Sequence, residues 1–356
     1  MRKLIGSVTL ALAIITATGT ISAADTLKVG FIYVGPIGDH GWSYQHDQGR
    51  LAVEKALGDK VETVFVEKVA EGPDAERAIT RLARQDAGLI FTTSFGFMNP
   101  TLKVAKKFPT VKFEHATGFK RSKNVASYNA RFYEGRYING QIAAKISKSG
   151  IAGYIASFPI PEVVMGINAF MLGAQTVNPD FKLKVVWVNS WFDPGKEADA
   201  AKVLIGQGAD ILTQHTDSTA AMQIANEKGV HAFGQASDMI KFGPKAQLTA
   251  IINNWAPYYI ERTKAVLDGS WKSVDSWKGL PAGTVKMGAY TNMPADVAKM
   301  AAETEAKITN GTLHPFTGPI YKQDGKLAVP AGKKIDDGML LGMNWYVKGI
   351  DGQLPK

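Results

Sequence analysis

The sequence predicts an α/β protein of two lobes, each a parallel β-sheet flanked by helices. Three observations carry this. Short β-branched runs alternate with helical stretches from Leu27 onward. Strands separated by helices of that length need right-handed crossovers, so they pair in parallel. The alternating series also occurs twice along 356 residues, enough chain for two apolar cores. A composition of 45% hydrophobic and 21% charged residues excludes collagen, coiled coil and wholesale disorder.

The chain begins with an export address. Met1-Arg2-Lys3 is a short positive start, Leu4 to Ala17 is an apolar run broken by small residues, and Ser22-Ala23-Ala24 presents the small side chains a signal peptidase needs. Cleavage is expected after Ala24, which makes 1–24 a signal peptide and places the mature protein outside the cytoplasmic membrane, in a bacterium the periplasm. A membrane anchor would need ~20 consecutive apolar residues, and Ser7, Thr9, Thr16 and Thr18 interrupt this run. The absence of cysteine excludes disulfides, thiolate metal sites and a lipid attached through sulfur. Loss of Arg2 and Lys3 lowers the formal charge from +9 to +7. The remaining basic clusters, such as Lys106-Lys107 and Lys120-Arg121, are too short for the stripe a nucleic acid would need, so no such partner is expected.

Taken in order, Leu27 to Val34 reads as a buried strand, followed by a Gly-rich loop and a helix over Ser43 to Leu57. Val61 to Val66 is a strand, Pro73 to Gln85 a helix with Ala75, Ile79 and Leu82 on one face, Leu89 to Thr93 a strand, Asn99 to Phe108 a helix and Val111 to His115 a strand. The long helix Tyr133 to Lys148 opens the second series. Strands follow at Ile151 to Ser157, Val185 to Val188, Ile211 to His215, His231 to Gln235 and Leu248 to Asn253, with helices at Val163 to Thr176, Glu197 to Gly206, Ser218 to Lys228 and Tyr258 to Leu267. Beyond Gly269 the pattern gives a helix near Pro294 to Thr309 and a hairpin over Ile320 to Leu327.

Parallel sheets bind ligands at the carboxyl ends of their strands, so a cleft between two such lobes is where function is expected. The segments there are polar and aromatic. After the first strand, Asp39 and His40 offer hydrogen-bonding groups and Trp42 a flat surface for a planar ring. The same loop equally suits a helix cap at Asp39 or Ser43 with Trp42 as a core lid. Ser94 and Phe95 precede a helix start that presents free N–H groups. A lone His115 is more often structural than a ligand group. In the second lobe Glu162, Trp191 with Phe192, Asp217, Asp238, and Asn253 with Trp255 all follow strands. Together these loops fit a cleft that grips a small planar polar molecule.

No motif specifies catalysis. The Gly-Lys pairs at Gly195, Gly325 and Gly332 lack the preceding glycine of a phosphate-binding loop, and Thr92 stands where a nucleophile elbow needs glycine. His40 and His46 fit neither zinc-helix spacing nor one helical face. Triads built on Ser94 with His115, or on His215 with Asp238, are matters of geometry. The expectation is a binding protein with no catalytic residue, metal or cofactor.

The segments Val29 to Asp39, Phe95-Gly-Phe97, Tyr133-Glu-Gly-Arg-Tyr137, Val177-Asn-Pro179, Gly208-Ala-Asp210 and Asp238 resemble the basic membrane protein family, the substrate-binding components of nucleoside-type ABC transporters. The resemblance runs from about Leu27 to about Tyr346. It implies a two-lobed periplasmic-binding-protein fold of type I with a three-segment hinge, 25–127 and 255–288 forming the N-terminal lobe and 128–254 and 289–356 the C-terminal lobe. It also implies a monomer that holds a purine between aromatic side chains and delivers it to a membrane permease. By position Asp39 matches the family's first-loop acid, Trp42 its following aromatic, Trp191 or Phe192 the second-lobe aromatic and Asp238 a later acid. Lipid-anchored members carry a cysteine this chain lacks. Nucleoside binders have an aspartate near Thr117 and a lysine at Asn253, so the resemblance points to a free base, adenine above all, rather than a nucleoside. A sugar or signalling ligand is the alternative, and a cleft hydrolase a more distant one.

Overall fold

The computed structural model describes residues 26–38 and 40–355. The expected signal peptide and Asp39 lie outside the described residues.

The first half supplies β1 (Leu27–Ile32), α1 (Gly41–Leu57), β2 (Val61–Val66), α2 (Pro73–Arg84), β3 (Leu89–Thr92), α3 (Met98–Ala105), β4 (Lys112–Ala116) and β5 (Val125–Ala130). Then come α4 (Phe132–Ile146), β6 (Ile151–Ala156), α5 (Pro161–Gln175), β7 (Lys182–Trp187), α6 (Pro194–Gly206), β8 (Ile211–His215), α7 (Ala220–Lys228), β9 (His231–Ala236) and β10 (Gln247–Asn253). The chain closes with α8 (Ala256–Leu267), β11 (Asp275–Lys278), β12 (Val285–Met287), α9 (Ala295–Thr309), β13 (Ile320–Tyr321), β14 (Leu327–Val329), α10 (Asp337–Leu341) and β15 (Ile350–Asp351).

Two large sheets result, ordered β2-β1-β3-β4-β5-β11 and β7-β6-β8-β9-β10 with β15 beside β7 and β12 beside β10. All their pairings are parallel except β10 with β12. Buried runs explain the strands. Leu89–Thr92 is wholly buried, as a strand covered by helices on both faces must be. The α2 helix starts with Pro73 in its first turn and buries Ala75, Ile79 and Leu82, the spacing of one helical face.

The chain passes between the sheets after β5, after β10 and after β11. On its return to the first lobe, α8 is held by the buried carboxylate of Glu114 in β4. That group accepts from Arg262 Nε at 2.6 Å, Tyr258 Oη at 2.6 Å and Trp271 Nε1 at 2.7 Å. In the second lobe α4 and α5 pack closely through glycines. A Cβ on Gly140 would lie 1.9 Å from the Phe170 carbonyl oxygen, and one on Gly173 would lie 2.0 Å from that of Tyr137. Only a residue without a side chain allows that approach.

Several elements differ from expectation. β5 and β11 extend the first sheet although neither reads as an apolar run; the pairing of Asp275–Lys278 with Ser127–Ala130 makes the strand. Val285–Met287, assigned by position to the N-terminal lobe, pairs antiparallel with β10 in the second sheet. The expected hairpin is present as β13 against β14.

Candidate functional site

In each sheet the strand order reverses direction beside the strand that comes first in sequence, β1 in the first and β6 in the second. The carboxyl ends there face one interlobe cavity lined by residues of both lobes. From the first lobe it is lined by Val34 after β1, Trp42 in α1, Ser94 and Phe95 after β3 and Thr117 after β4. The second lobe contributes Glu162 in the first turn of α5, Trp191 after β7, His215 and Asp217 at and after the end of β8, and Gln235 in β9.

Both indoles are fixed by their neighbours. Trp42 Nε1 donates to the Thr93 carbonyl at 2.6 Å, and the indole meets His46, Phe132 and Trp255 edge-on. Trp191 Nε1 crosses the cleft to Glu71 Oε1 at 3.1 Å. That same oxygen accepts from Ser94 Oγ at 2.6 Å and from the Gly96 amide at 2.9 Å. Two further bonds join the lobes. The Gly41 amide donates to Ser237 Oγ at 2.8 Å, and Asn129 Nδ2 donates to Glu162 Oε2 at 3.1 Å. Gly41 has φ +77°, and a Cβ there would sit 2.1 Å from the Asp217 carbonyl oxygen. Glycine at this position therefore permits the lobes to meet.

The electrostatics concentrate on the second-lobe wall. Burial, with Glu197 and Glu162 nearby, pushes the Asp217 carboxyl well above the usual range. His215 Nε2 lies 3.3 Å from Glu162 Oε1, yet burial keeps this imidazole below its ordinary pKa. Gln235 accepts a hydrogen bond from Arg136 Nη2, and Arg136 Nη1 donates to Thr213 Oγ1 at 3.1 Å.

Of the expected site residues, Trp42, Ser94, Phe95, Glu162, Trp191 and Asp217 line the cavity. Asp39 lies outside the described residues, and the remaining ones do not line it, each for a physical reason. His40 stacks on Tyr44, with ring centroids 4.3 Å apart. His115 is buried in the first lobe with Nδ1 3.0 Å from Thr92 Oγ1, and burial lowers its pKa to about 3. Phe192 lies against Gly35. Asp238 accepts from Gln247 Nε2 at 2.7 Å and the Ile240 amide at 3.0 Å, which ties down its own loop. Asn253 is buried at the end of β10, and Trp255 stacks on His46 at 4.8 Å. Thr117, His215, Gln235 and Glu71, which accepts from Trp191 across the cleft, were absent from the expected set.

Neither hydrolase pair is assembled: Ser94 bonds Glu71 while His115 bonds Thr92, and His215 meets Glu162 rather than Asp238. Among the described residues no group of three or more acidic or histidine side chains is placed to hold a metal ion.

Two βα lobes closed on an aromatic and acidic cavity define a substrate-binding protein of the periplasmic type. The chain belongs to the Bmp family, the PnrA-like ABC transporter substrate-binding proteins, whose model matches residues 26–314. A purine-binding protein of Brucella abortus is 68% identical over 95% of this chain and 97% of its own length. A Haloferax volcanii protein whose name assigns it to glucose binding in an ABC transporter is 36% identical over 96% of this chain and 84% of its own. Among solved structures, an ABC transporter solute-binding protein of Aeropyrum pernix superposes with TM-score 0.71 at 19% identity, covering 81% of this chain and 92% of that one, which supports the fold.

Proposed function

We propose that this protein binds a purine base, adenine foremost, between its lobes and delivers it to the permease of an ABC importer. The observation that carries the reading is one cavity that receives an indole from each lobe, Trp42 and Trp191, beside the carboxyl and amide groups of Asp217, Glu162 and Gln235. Indole faces suit a flat heteroaromatic ring, each base–aromatic contact contributing ~1–3 kcal/mol. Buried polar groups then reject ligands that would leave them unpaired. The purine-binding relative at 68% identity supports the same reading.

The three chain crossings serve as the hinge. Ligand drives closure because the cavity is lined from both lobes, so a ligand touches every lining group only when the lobes meet, and a ligand shifts the equilibrium only by its differential affinity for the two states; bonds such as Trp191 to Glu71 and Gly41 to Ser237 then hold the closed form. The closed form is the surface a permease recognises. The protein acts as a monomer, exported to the periplasm by its leader, and performs no catalysis.

A sugar is the competing occupant, favoured by the relative named for glucose binding and by carboxylates that suit hydroxyls. Calorimetric titration with adenine, guanine, adenosine, ribose and glucose decides between them. Adenine is expected to bind with a Kd of about 1 μM or tighter, about −8 kcal/mol. Sugar binding, with adenine and adenosine silent up to about 1 mM, would overturn the proposal.

A further inference from the structure

Behind the cavity wall Arg136 is 1% exposed, and it makes no ion pair with any described residue. Its directly bonded and stacked partners are neutral: the Gln235 carboxamide oxygen, Thr213 Oγ1 at 3.1 Å, and the Tyr154 ring, whose centroid is 5.5 Å from the guanidinium carbon; Glu162 acts on it only through space. Burying a cation without a directly bonded carboxylate is costly, so the arrangement calls for a compensating role.

A guanidinium has donors and no acceptor. The Gln235 atom facing Arg136 must therefore be oxygen, an assignment that for most amides is ambiguous but here follows from chemistry. The amide NH2 is turned the other way. It has no hydrogen-bond partner among the described residues, and Gln235 lines the cavity. On the same wall Asp217 and Glu162 supply acceptor oxygens. The wall thus combines a donor of fixed orientation with carboxyl acceptors.

We infer that Arg136 is a positioning residue for ligand specificity: by holding the Gln235 oxygen it commits the amide NH2 to the cavity, which then selects a purine edge carrying a ring-nitrogen acceptor beside an N–H. This rests on the purine reading above. A sugar hydroxyl, which both donates and accepts, would be indifferent to the orientation of that amide.

The test is calorimetry with adenine and its 1-deaza, 3-deaza and 7-deaza analogues, each lacking one ring acceptor, on the wild-type protein and on Gln235→Glu, Arg136→Met and Arg136→Lys. In the wild type, one analogue should bind about tenfold more weakly than adenine, the worth of one desolvated hydrogen bond. Gln235→Glu is isosteric and replaces the donor by an acceptor. It should weaken adenine by about tenfold and abolish that analogue's penalty. Arg136→Met frees the amide to flip and should shrink the penalty to below about threefold, and Arg136→Lys, which keeps a donor, should restore part of it. A penalty unchanged in Gln235→Glu, or in a folded Arg136→Met protein, overturns the inference; so does a wild type that binds adenine and all three analogues equally, which leaves the purine reading intact. A wild type that binds no purine sinks the purine reading itself.

Discussion

The two walls of the cleft are built differently. The first lobe offers Val34, Trp42, Ser94, Phe95 and Thr117, a surface of aromatic and hydroxyl groups, whereas every titratable side chain among the described lining residues (Glu162, His215 and Asp217) comes from the second lobe. On the purine reading proposed above, the ring rests on the first wall by stacking while its edge is read by the second. On that reading the division makes affinity depend on closure, because stacking and edge recognition come from different lobes. It also explains the placement of the interlobe contacts: the Trp191–Glu71 bond and the Gly41 approach to Asp217 bring the reading wall onto the stacking wall.

The largest expected effect comes from keeping the walls apart. Gly41→Ala introduces a Cβ 2.1 Å from the Asp217 carbonyl oxygen at a φ of +77°. Adenine affinity should fall by about 100-fold, nearly 3 kcal/mol of lost preference for the closed state. Small-angle scattering with saturating ligand should show a more open particle. Unaltered affinity would mean that closure is not required.

Next come the indoles. Trp42→Ala and Trp191→Ala should each weaken binding by about tenfold or more, from the ~1–3 kcal/mol of a base–aromatic contact, as read by calorimetry. If only Trp42 matters, stacking belongs to the first lobe alone and the comparison sharpens. Glu71→Ala removes the acceptor shared by Trp191, Ser94 and Gly96. A loss of about fivefold is expected, near the ~1 kcal/mol net worth of a hydrogen bond, with a faster ligand dissociation rate in stopped-flow fluorescence.

The smallest effect on ligand separates two histidines. His215 lines the cavity and His115 lies in the first-lobe core, so at pH 7.5 His115→Gln should leave adenine affinity unchanged while His215→Gln lowers it. His115 matters instead to acid stability. Its folded pKa of about 3 lies below the unfolded value of about 6.5, so the unfolded chain binds the extra proton first. The stability it contributes is present above about pH 6.5 and is lost as the pH falls toward about 3. His115→Gln should flatten that part of the Tm-against-pH curve, and a curve of unchanged slope would place the acid-sensitive group elsewhere.

Much of this was legible in the sequence because buried parallel strands announce themselves as apolar runs. Leu89 to Thr92 and Ile151 to Ala156 are examples, and the residues following them must lie at one end of a sheet. That logic reaches Ser94, Phe95 and Glu162 directly. It fails where pairing rather than pattern makes the strand, as in Asp275–Lys278, whose Asp and Lys read as loop. It also overreaches, since a polar residue after a strand serves equally to tie down its own loop, as Asp238 does through Gln247. Gln235 and Glu71 escaped for opposite reasons. The first sits inside a strand, one residue before its end, and the second lies five residues beyond its strand, in a loop whose path only the tertiary structure defines.

The most direct test of the central claim is a crystal structure of the protein with adenine. The ring should lie inside the interlobe cavity, against the Trp42 indole, with its edge within hydrogen-bond distance of Asp217 or Gln235. Adenine bound elsewhere, or seated in the cavity with its ring away from both Trp42 and Trp191, would contradict it.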